Sequence, residues 1–201
     1  MSLEARNLSF RYRRRGGEVL RDISLTLAPG ERLGLGGASG RGKTTLCKLL
    51  AGYERPTAGQ VLADGVPPAR WRGFAPVQMI WQHPESAVDP LLKLRETLYE
   101  AGPVPRRLLD ALGIQPGWLD RYPSELSGGE LQRFCLARAL RPQVRYLLCD
   151  ELSAMLDPIT QAQLWAFLLD EARERGLGLL IVSHERALLD RLCTRRISLD
   201  E

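Results

Sequence analysis

Eight consecutive residues, Gly37-Ala38-Ser39-Gly40-Arg41-Gly42-Lys43-Thr44, fit the pattern G-x-x-x-x-G-K-[ST]. Glycines there let the backbone wrap closely around phosphate oxygens, with its amides turned inward as an anion nest. The helix that follows offers its positive N-terminal end to the same anion. In this chemistry Lys43 reaches the β- and γ-phosphates of a nucleotide, and the Thr44 hydroxyl binds Mg²⁺. A second candidate is the run Tyr146-Leu147-Leu148-Cys149-Asp150-Glu151, an apolar strand ending in two acids. Asp150 is suited to hold Mg²⁺, directly or through water, and Glu151 to polarise an attacking water as general base. A third is Leu126-Ser127-Gly128-Gly129-Glu130. Ser127 and Glu130 have the spacing of a capping box at a helix start. The paired glycines go beyond what a cap needs, and they expose helix-end amides to an external anion.

These residues need a frame. Residues 3–10 and 19–27 alternate apolar and polar positions and read as antiparallel strands with one wet face. A short strand at 31–36 runs into the glycine-rich loop. From Lys43 to Ala51, leucines at helical spacing are stopped by Gly52. Short strands are expected at 60–63, ending at the Asp64-Gly65 turn, and at 76–81. From about 83 to 126, prolines punctuate helical pieces at 91–100 and 105–112, which reads as a helical insertion. Then come a helix near 129–140, a strand at 144–149, a helix near 158–175, a strand at 177–182, a helix near 185–193 and a strand-like tail at 196–200. Alternating strands and helices with near-continuous apolar strands define an α/β fold around a buried parallel sheet.

The chain has 201 residues, enough for one domain with a sizeable core. Its formal net charge is +4, with arginine dominating the basic set. Such a balance is compatible with nucleic acid, a membrane surface or an anionic ligand, and equally with a generally Arg-rich composition. The run Arg11-Tyr12-Arg13-Arg14-Arg15 is short enough to be a solvated loop. The four cysteines, Cys47, Cys135, Cys149 and Cys193, form no C-x-x-C pair. Each lies in an apolar or helical stretch, the pattern of buried free thiols in a reducing compartment. The acidic, polar start does not read as a signal peptide, and the longest apolar runs are too short to cross a bilayer.

In order and spacing, the phosphate loop, L-S-G-G-E and L-L-C-D-E resemble the nucleotide-binding domain of ABC transporters, over essentially the whole chain. The resemblance implies a P-loop NTPase with a mixed parallel core sheet, an antiparallel β subdomain and a helical subdomain at about 83–140, all in a single domain over 1–201. It implies ATP with Mg²⁺, held by Gly37 to Thr44 together with Thr45. It further implies that Ser127, Gly128 and Gly129 contact the γ-phosphate of ATP bound to a second ATPase subunit, in a homo- or heterodimer. Tyr12 resembles the residue that stacks on adenine. Gln82 resembles a glutamine that senses Mg²⁺ and the membrane subunit, and His184 the histidine at the γ-phosphate. Asp157 resembles the aspartate ending a loop that crosses the dimer interface. Where the family has a serine in that loop this chain has Ala154, followed by Met155, which puts communication between the two sites in doubt. His83 has no family role and reads as a loop residue.

Residues 78–90 and the run after the signature are similar to those of nickel and di/oligopeptide importers. That likeness implies integral membrane permease subunits as partners, an extracytoplasmic substrate-binding protein acting indirectly, a place on the cytoplasmic face of the inner membrane, and no nucleic acid. The cargo would be nickel, another metal or peptides. Many members carry a C-terminal extension absent from these residues, which implies a compact or truncated version. The competing reading is a soluble ABC ATPase in DNA repair, translation or complex remodelling. Such proteins usually fuse two domains or carry coiled-coil insertions. A catalytically dead regulator is disfavoured by the presence of Lys43, Asp150, Glu151 and His184 together.

Overall fold

The computed structural model describes residues 1–13, 17–154 and 156–199. Arg14 and Arg15 of the basic run, Met155 beside Ala154, and Asp200 of the strand-like tail lie outside the described residues. Alternating side chains in β1 (Leu3–Phe10) and β2 (Leu20–Leu27) put Leu3, Ala5, Leu8, Leu25 and Leu27 inside and polar neighbours outside. With β4 (Ala58–Ala63) they form an antiparallel sheet in the order β2-β1-β4.

The second sheet has the order β5-β6-β7-β3-β8, from β3 (Arg32–Gly36), β5 (Val77–Ile80), β6 (Tyr146–Asp150), β7 (Gly178–Val182) and β8 (Arg195–Ser198). Every strand pair in it is parallel, so the antiparallel pairing is confined to the separate three-stranded sheet. Both of its faces are covered, which is why β6 and β7 are apolar at nearly every position. Tyr146 and Leu148 face α1 (Lys43–Leu50) and the antiparallel sheet, in one core with Leu46, Leu49 and Leu50. Leu147 and Cys149 face the opposite core with Phe134, Leu136 and Leu168. Those residues come from α4 (Gly128–Ala139) and α5 (Pro158–Arg175).

Two short helices, α2 (Leu94–Tyr99) and α3 (Arg106–Ala111), lie between β5 and α4, with tight turns at 84–87, 116–120 and 123–125. The sequence expectation of a helix over 91–100 is too long. Lys93 is extended as the N-cap of α2, and Leu91 and Leu92 before it stand exposed with no apolar face to bury, so the helix starts at Leu94. Likewise β6 starts at Tyr146, because Arg145 turns its amide to the Pro76 carbonyl. Helix α6 (Arg186–Leu192) leads into β8.

The two sheets are joined at the foot of β6. The Tyr146 hydroxyl donates to Asp64 Oδ1 at 2.8 Å, and Arg145 pairs with the same carboxylate. The Tyr146 ring lies over Gly178, where an added Cβ would stand 2.7 Å from the ring and 2.9 Å from the Ala28 carbonyl. Among the described residues no helix is long and apolar enough to cross a membrane.

Candidate nucleotide site

The register of the parallel sheet brings three strand ends level. Asp150 pairs with Val182, and Val182 with Leu35 beside the glycine-rich loop. Ligands of open α/β sheets bind at this carboxyl edge. The loop after β3 turns through Gly37 (φ 130°), Gly40 (φ 81°) and Gly42 (φ 87°), left-handed backbone that L side chains avoid. At Gly42 a Cβ would also stand 2.9 Å from Leu20 Cδ2. The loop then enters α1, where the Lys43 ammonium folds back onto its own backbone. It donates to the Gly37 carbonyl at 2.6 Å and the Ala38 carbonyl at 2.9 Å.

A cleft of about 630 Å³ opens at this edge. Ser39, Gly40, Gly42, Lys43, Thr44 and Thr45 line one side, and Gln82, Asp150, Glu151 and His184 the other, with Tyr12 and Val19 at the rim. Gly37 lines an adjoining hollow with His184, while Ala38 and Arg41 are exposed on the outside of the loop. Asp150 is 2% exposed, and that burial pushes its carboxyl above the usual carboxylate value. The Thr44 hydroxyl bonds to it and opposes the shift, Glu151 adds to it, and Lys43 opposes it. A desolvated carboxylate beside a hydroxyl in a phosphate-sized cleft is a donor set that a hard divalent cation fits. No group of three or more His, Cys, Asp or Glu suited to hold a metal alone occurs among the described residues.

Glu151 departs from strand geometry. Its φ is 50°, and its amide donates to the Val182 carbonyl at 3.1 Å. The turn sends its carboxylate across to the end of β7. There it accepts from the His184 amide at 3.0 Å and lies 3.1 Å from His184 Nδ1 through either oxygen. Sequence motifs treated these two residues separately, and only the strand register shows that they meet. Tyr12 follows β1, packs edge-on against Phe10 at 4.8 Å, and bonds through its hydroxyl to Thr45 Oγ1 at 3.1 Å.

The signature residues are elsewhere. Ser127, Gly128 and Gly129 open α4 and do not line the cleft. Ser127 caps the helix reciprocally: its amide and hydroxyl donate to Glu130 Oε2, each at 2.8 Å, and the Glu130 amide returns to its hydroxyl at 3.4 Å. Asp157 is the N-cap of α5, accepting from the amides of Ile159 and Thr160. Sequence reasoning missed Ser153, a buried residue whose hydroxyl accepts from Gln161 at 2.7 Å and from the Trp165 indole at 3.0 Å, both on α5. It fixes the segment after Glu151 next to Ala154. His83 is exposed beside Glu85, outside the cleft. The cysteines are free thiols, with Cys47, Cys135 and Cys149 buried and Cys193 half-buried.

A parallel sheet with a glycine-rich anion loop, a buried acid at the next strand end and a histidine facing that acid's neighbour defines a phosphate-loop nucleotide-binding domain. The ABC transporter family model matches residues 20–154, and the chain belongs to that family. It is 40% identical to the nickel import ATP-binding protein NikE of Rhodospirillum rubrum, over 91% of this chain and 73% of that one. The Escherichia coli NikE protein is 36% identical over 90% of this chain and 75% of its own. A methionine import ATP-binding protein, MetN of Caulobacter vibrioides, is 35% identical over 96% of this chain and 63% of its own. A solved dimeric structure of a bacterial ABC transporter cassette superposes with a TM-score of 0.83 at 22% identity, covering 98% of this chain and 93% of that one. A post-hydrolysis cassette bound to ADP and Pi gives 0.84, also at 22% identity and with the same coverage.

Proposed function

We propose that this chain binds and hydrolyses ATP to energise an ABC importer, with nickel as the cargo. The observation that carries the reading is the convergence of Lys43, Thr44, Gln82, Asp150, Glu151 and His184 on one cleft at the carboxyl edge of the sheet. Lys43 exchanges its two loop carbonyls for the β- and γ-phosphates. Tyr12 stacks on adenine, and the amides of residues 37–45 cradle the phosphate chain. Glu151 takes the proton of the attacking water. His184, already bonded to Glu151 through Nδ1, holds that carboxylate in place and turns its other ring nitrogen to the γ-phosphate. Mg²⁺, held by Thr44, Gln82 and Asp150, would neutralise charge developing on the phosphates.

Ser127, Gly128 and Gly129 lie outside their own cleft, which supports a role in closing the site of a second ATPase subunit, either a copy of this chain or a related one. A groove of about 220 Å³ lined by Tyr53, Phe74, Trp81, Ala87 and Arg138 adjoins the loop that carries Gln82. It suits the docking of a permease segment and so a place on the cytoplasmic face of the cell membrane, with a substrate-binding protein acting through the permease. Residues 1–201 act as one nucleotide-binding domain, with residues 83–140 as its helical subdomain. Nickel comes from the names of the NikE relatives, and their import function favours this reading over a soluble remodelling ATPase. The test is Lys43→Ala in an equilibrium nucleotide-binding assay. Loss of charge-assisted hydrogen bonds of roughly 1.5–3 kcal/mol predicts binding about 10- to 100-fold weaker. Unchanged affinity would sink the proposal.

A further inference from the structure

Beside the Glu151–His184 pair lies a cavity of about 30 Å³, walled by Leu152 and Val182 and lined by four polar residues, Glu151, Ser153, Ser183 and Gln161. That volume suits a water molecule and is far too small for a nucleotide. Ser153 is 4% exposed, and its hydroxyl oxygen accepts twice, from Gln161 Nε2 at 2.7 Å and from the Trp165 indole at 3.0 Å. Both lone pairs of that oxygen are then used, so the O–H is left to donate in the remaining direction. No acceptor for it occurs among the described residues. Ser183 is in a similar state. It is 5% exposed, its oxygen accepts from the Glu185 amide at 3.0 Å, and its O–H also lacks an acceptor among the described residues. Two buried donors left unspent are costly unless something in the cavity accepts from them. Glu151 has acceptor capacity to spare. Its Oε1 takes the His184 amide and ring, whereas Oε2 meets the ring at 3.1 Å.

We infer that this cavity is a site for one water molecule, which accepts from Ser153 and Ser183 and donates to the Glu151 carboxylate, and that Ser153 and Gln161 are positioning residues for the base. Gln161 and Trp165 aim the Ser153 proton, that proton holds the water, and the water holds the carboxylate. Three hydrogen bonds are what a buried water ordinarily makes. His184 is exposed and, in the function proposed above, also has the γ-phosphate to meet. The water gives Glu151 a second tether, so the carboxylate stays aimed while the histidine turns to its other partner. The role of Ser153 and Gln161 in hydrolysis rests on the nucleotide reading of the cleft; the water site does not.

A crystal structure of the full chain at a resolution that shows ordered waters, together with kinetics of three variants, tests the inference. Wild type is expected to hold one ordered water within hydrogen-bond reach of Ser153 Oγ and a Glu151 oxygen. Ser153→Ala removes the donor. It is expected to lose roughly tenfold in kcat, because misplacing a catalytic group costs up to about 10²-fold. Its equilibrium affinity for Mg-ATP is expected to stay within about twofold of wild type, since the loss falls on the chemical step. Ser153→Thr keeps the hydroxyl and is expected to restore kcat. Gln161→Met, at a half-buried position of α5, removes the bond that aims the serine and is expected to lower kcat in the same way; it keeps the test open if Ser153→Ala fails to fold. A dry cavity in wild type overturns the inference, and so does a wild-type kcat in Ser153→Ala or Gln161→Met, or a loss that appears in ATP affinity instead of kcat. Each of those results leaves the nucleotide reading standing when wild type binds Mg-ATP in the same titration. A wild type that binds none removes the nucleotide reading and the positioning role together.

Discussion

Replacing Glu151 with glutamine removes a proton acceptor and leaves the shape of the side chain. The backbone at this position is left-handed (φ 50°), a strain that glutamate and glutamine bear alike because neither is β-branched. The His184 amide, 3.0 Å from Glu151 Oε1, keeps an oxygen to donate to. The fold is therefore expected to lose no more than about 0.5 kcal/mol. Loss of a general base slows the chemical step by about 10²–10⁴, a barrier increase of roughly 3–5 kcal/mol. Binding moves the other way. Glu151 is one of the groups raising the Asp150 carboxyl, so neutralising it leaves Asp150 more fully ionised toward Mg²⁺. Phosphate release in the steady state measures the first effect and equilibrium titration with Mg-ATP the second. Light scattering reports the ATP-bound dimer, which should accumulate when hydrolysis is blocked. Hydrolysis within threefold of wild type, with ATP still bound, would refute the assignment of Glu151 as base.

Two further outcomes concern the scaffold. Gly178→Ala sets a methyl 2.7 Å from the Tyr146 ring and 2.9 Å from the Ala28 carbonyl, and neither neighbour is a flexible chain end. Overpacking of this kind costs about 1–3 kcal/mol, to be read from the urea midpoint, and a shift below about 0.5 kcal/mol would show that the contact relaxes. Glu130 is held below its usual value of 4.5 by hydrogen bonds from the Ser127 amide and hydroxyl. A carboxyl whose folded pKa lies below its unfolded one stabilises above the unfolded value and loses that contribution as pH falls through the folded value. Glu130→Gln is thus expected to be less stable than wild type near pH 6, with the gap closing as pH falls below 4.5; a pH-independent gap would mean that the cap bonds do not depend on the charge.

Much of this molecule is legible from residue types alone. Strict alternation in β1 and β2, Gly42 before Lys43, and Asp157-Pro158 at a helix start each encode their own local geometry. The segment from 83 to 126 is less legible, because its prolines mark interruptions without saying which pieces are helix and which are tight turns. The pairing of Glu151 with His184 is absent from any local pattern: the two residues are brought together by the register of Asp150 with Val182. Ser153 carries no signal of its own in the sequence, since its partners Gln161 and Trp165 lie on the next helix. Gln132, Cys135 and Arg138 of α4 donate to the carbonyls of Trp81, Pro84 and Ala87, contacts hidden for another reason. A helix-face pattern shows which residues point together but not which carbonyls they meet.

The strand order also sets a timetable for synthesis. The antiparallel sheet closes early, because β1 pairs with β2 and β4, all encoded before residue 64. The phosphate loop is encoded early as well, but its strand β3 pairs, among the described residues, with β7 and β8, Arg32 with Leu179 and Leu33 with Arg195. A chain emerging from the ribosome therefore carries Lys43 for most of its synthesis without the sheet that shapes its surroundings. Such long-range parallel pairing is slow to form and leaves apolar edges waiting. Competence to hold ATP is expected to appear abruptly once the stretch through His184 has emerged, so that truncated nascent chains neither capture nor consume nucleotide.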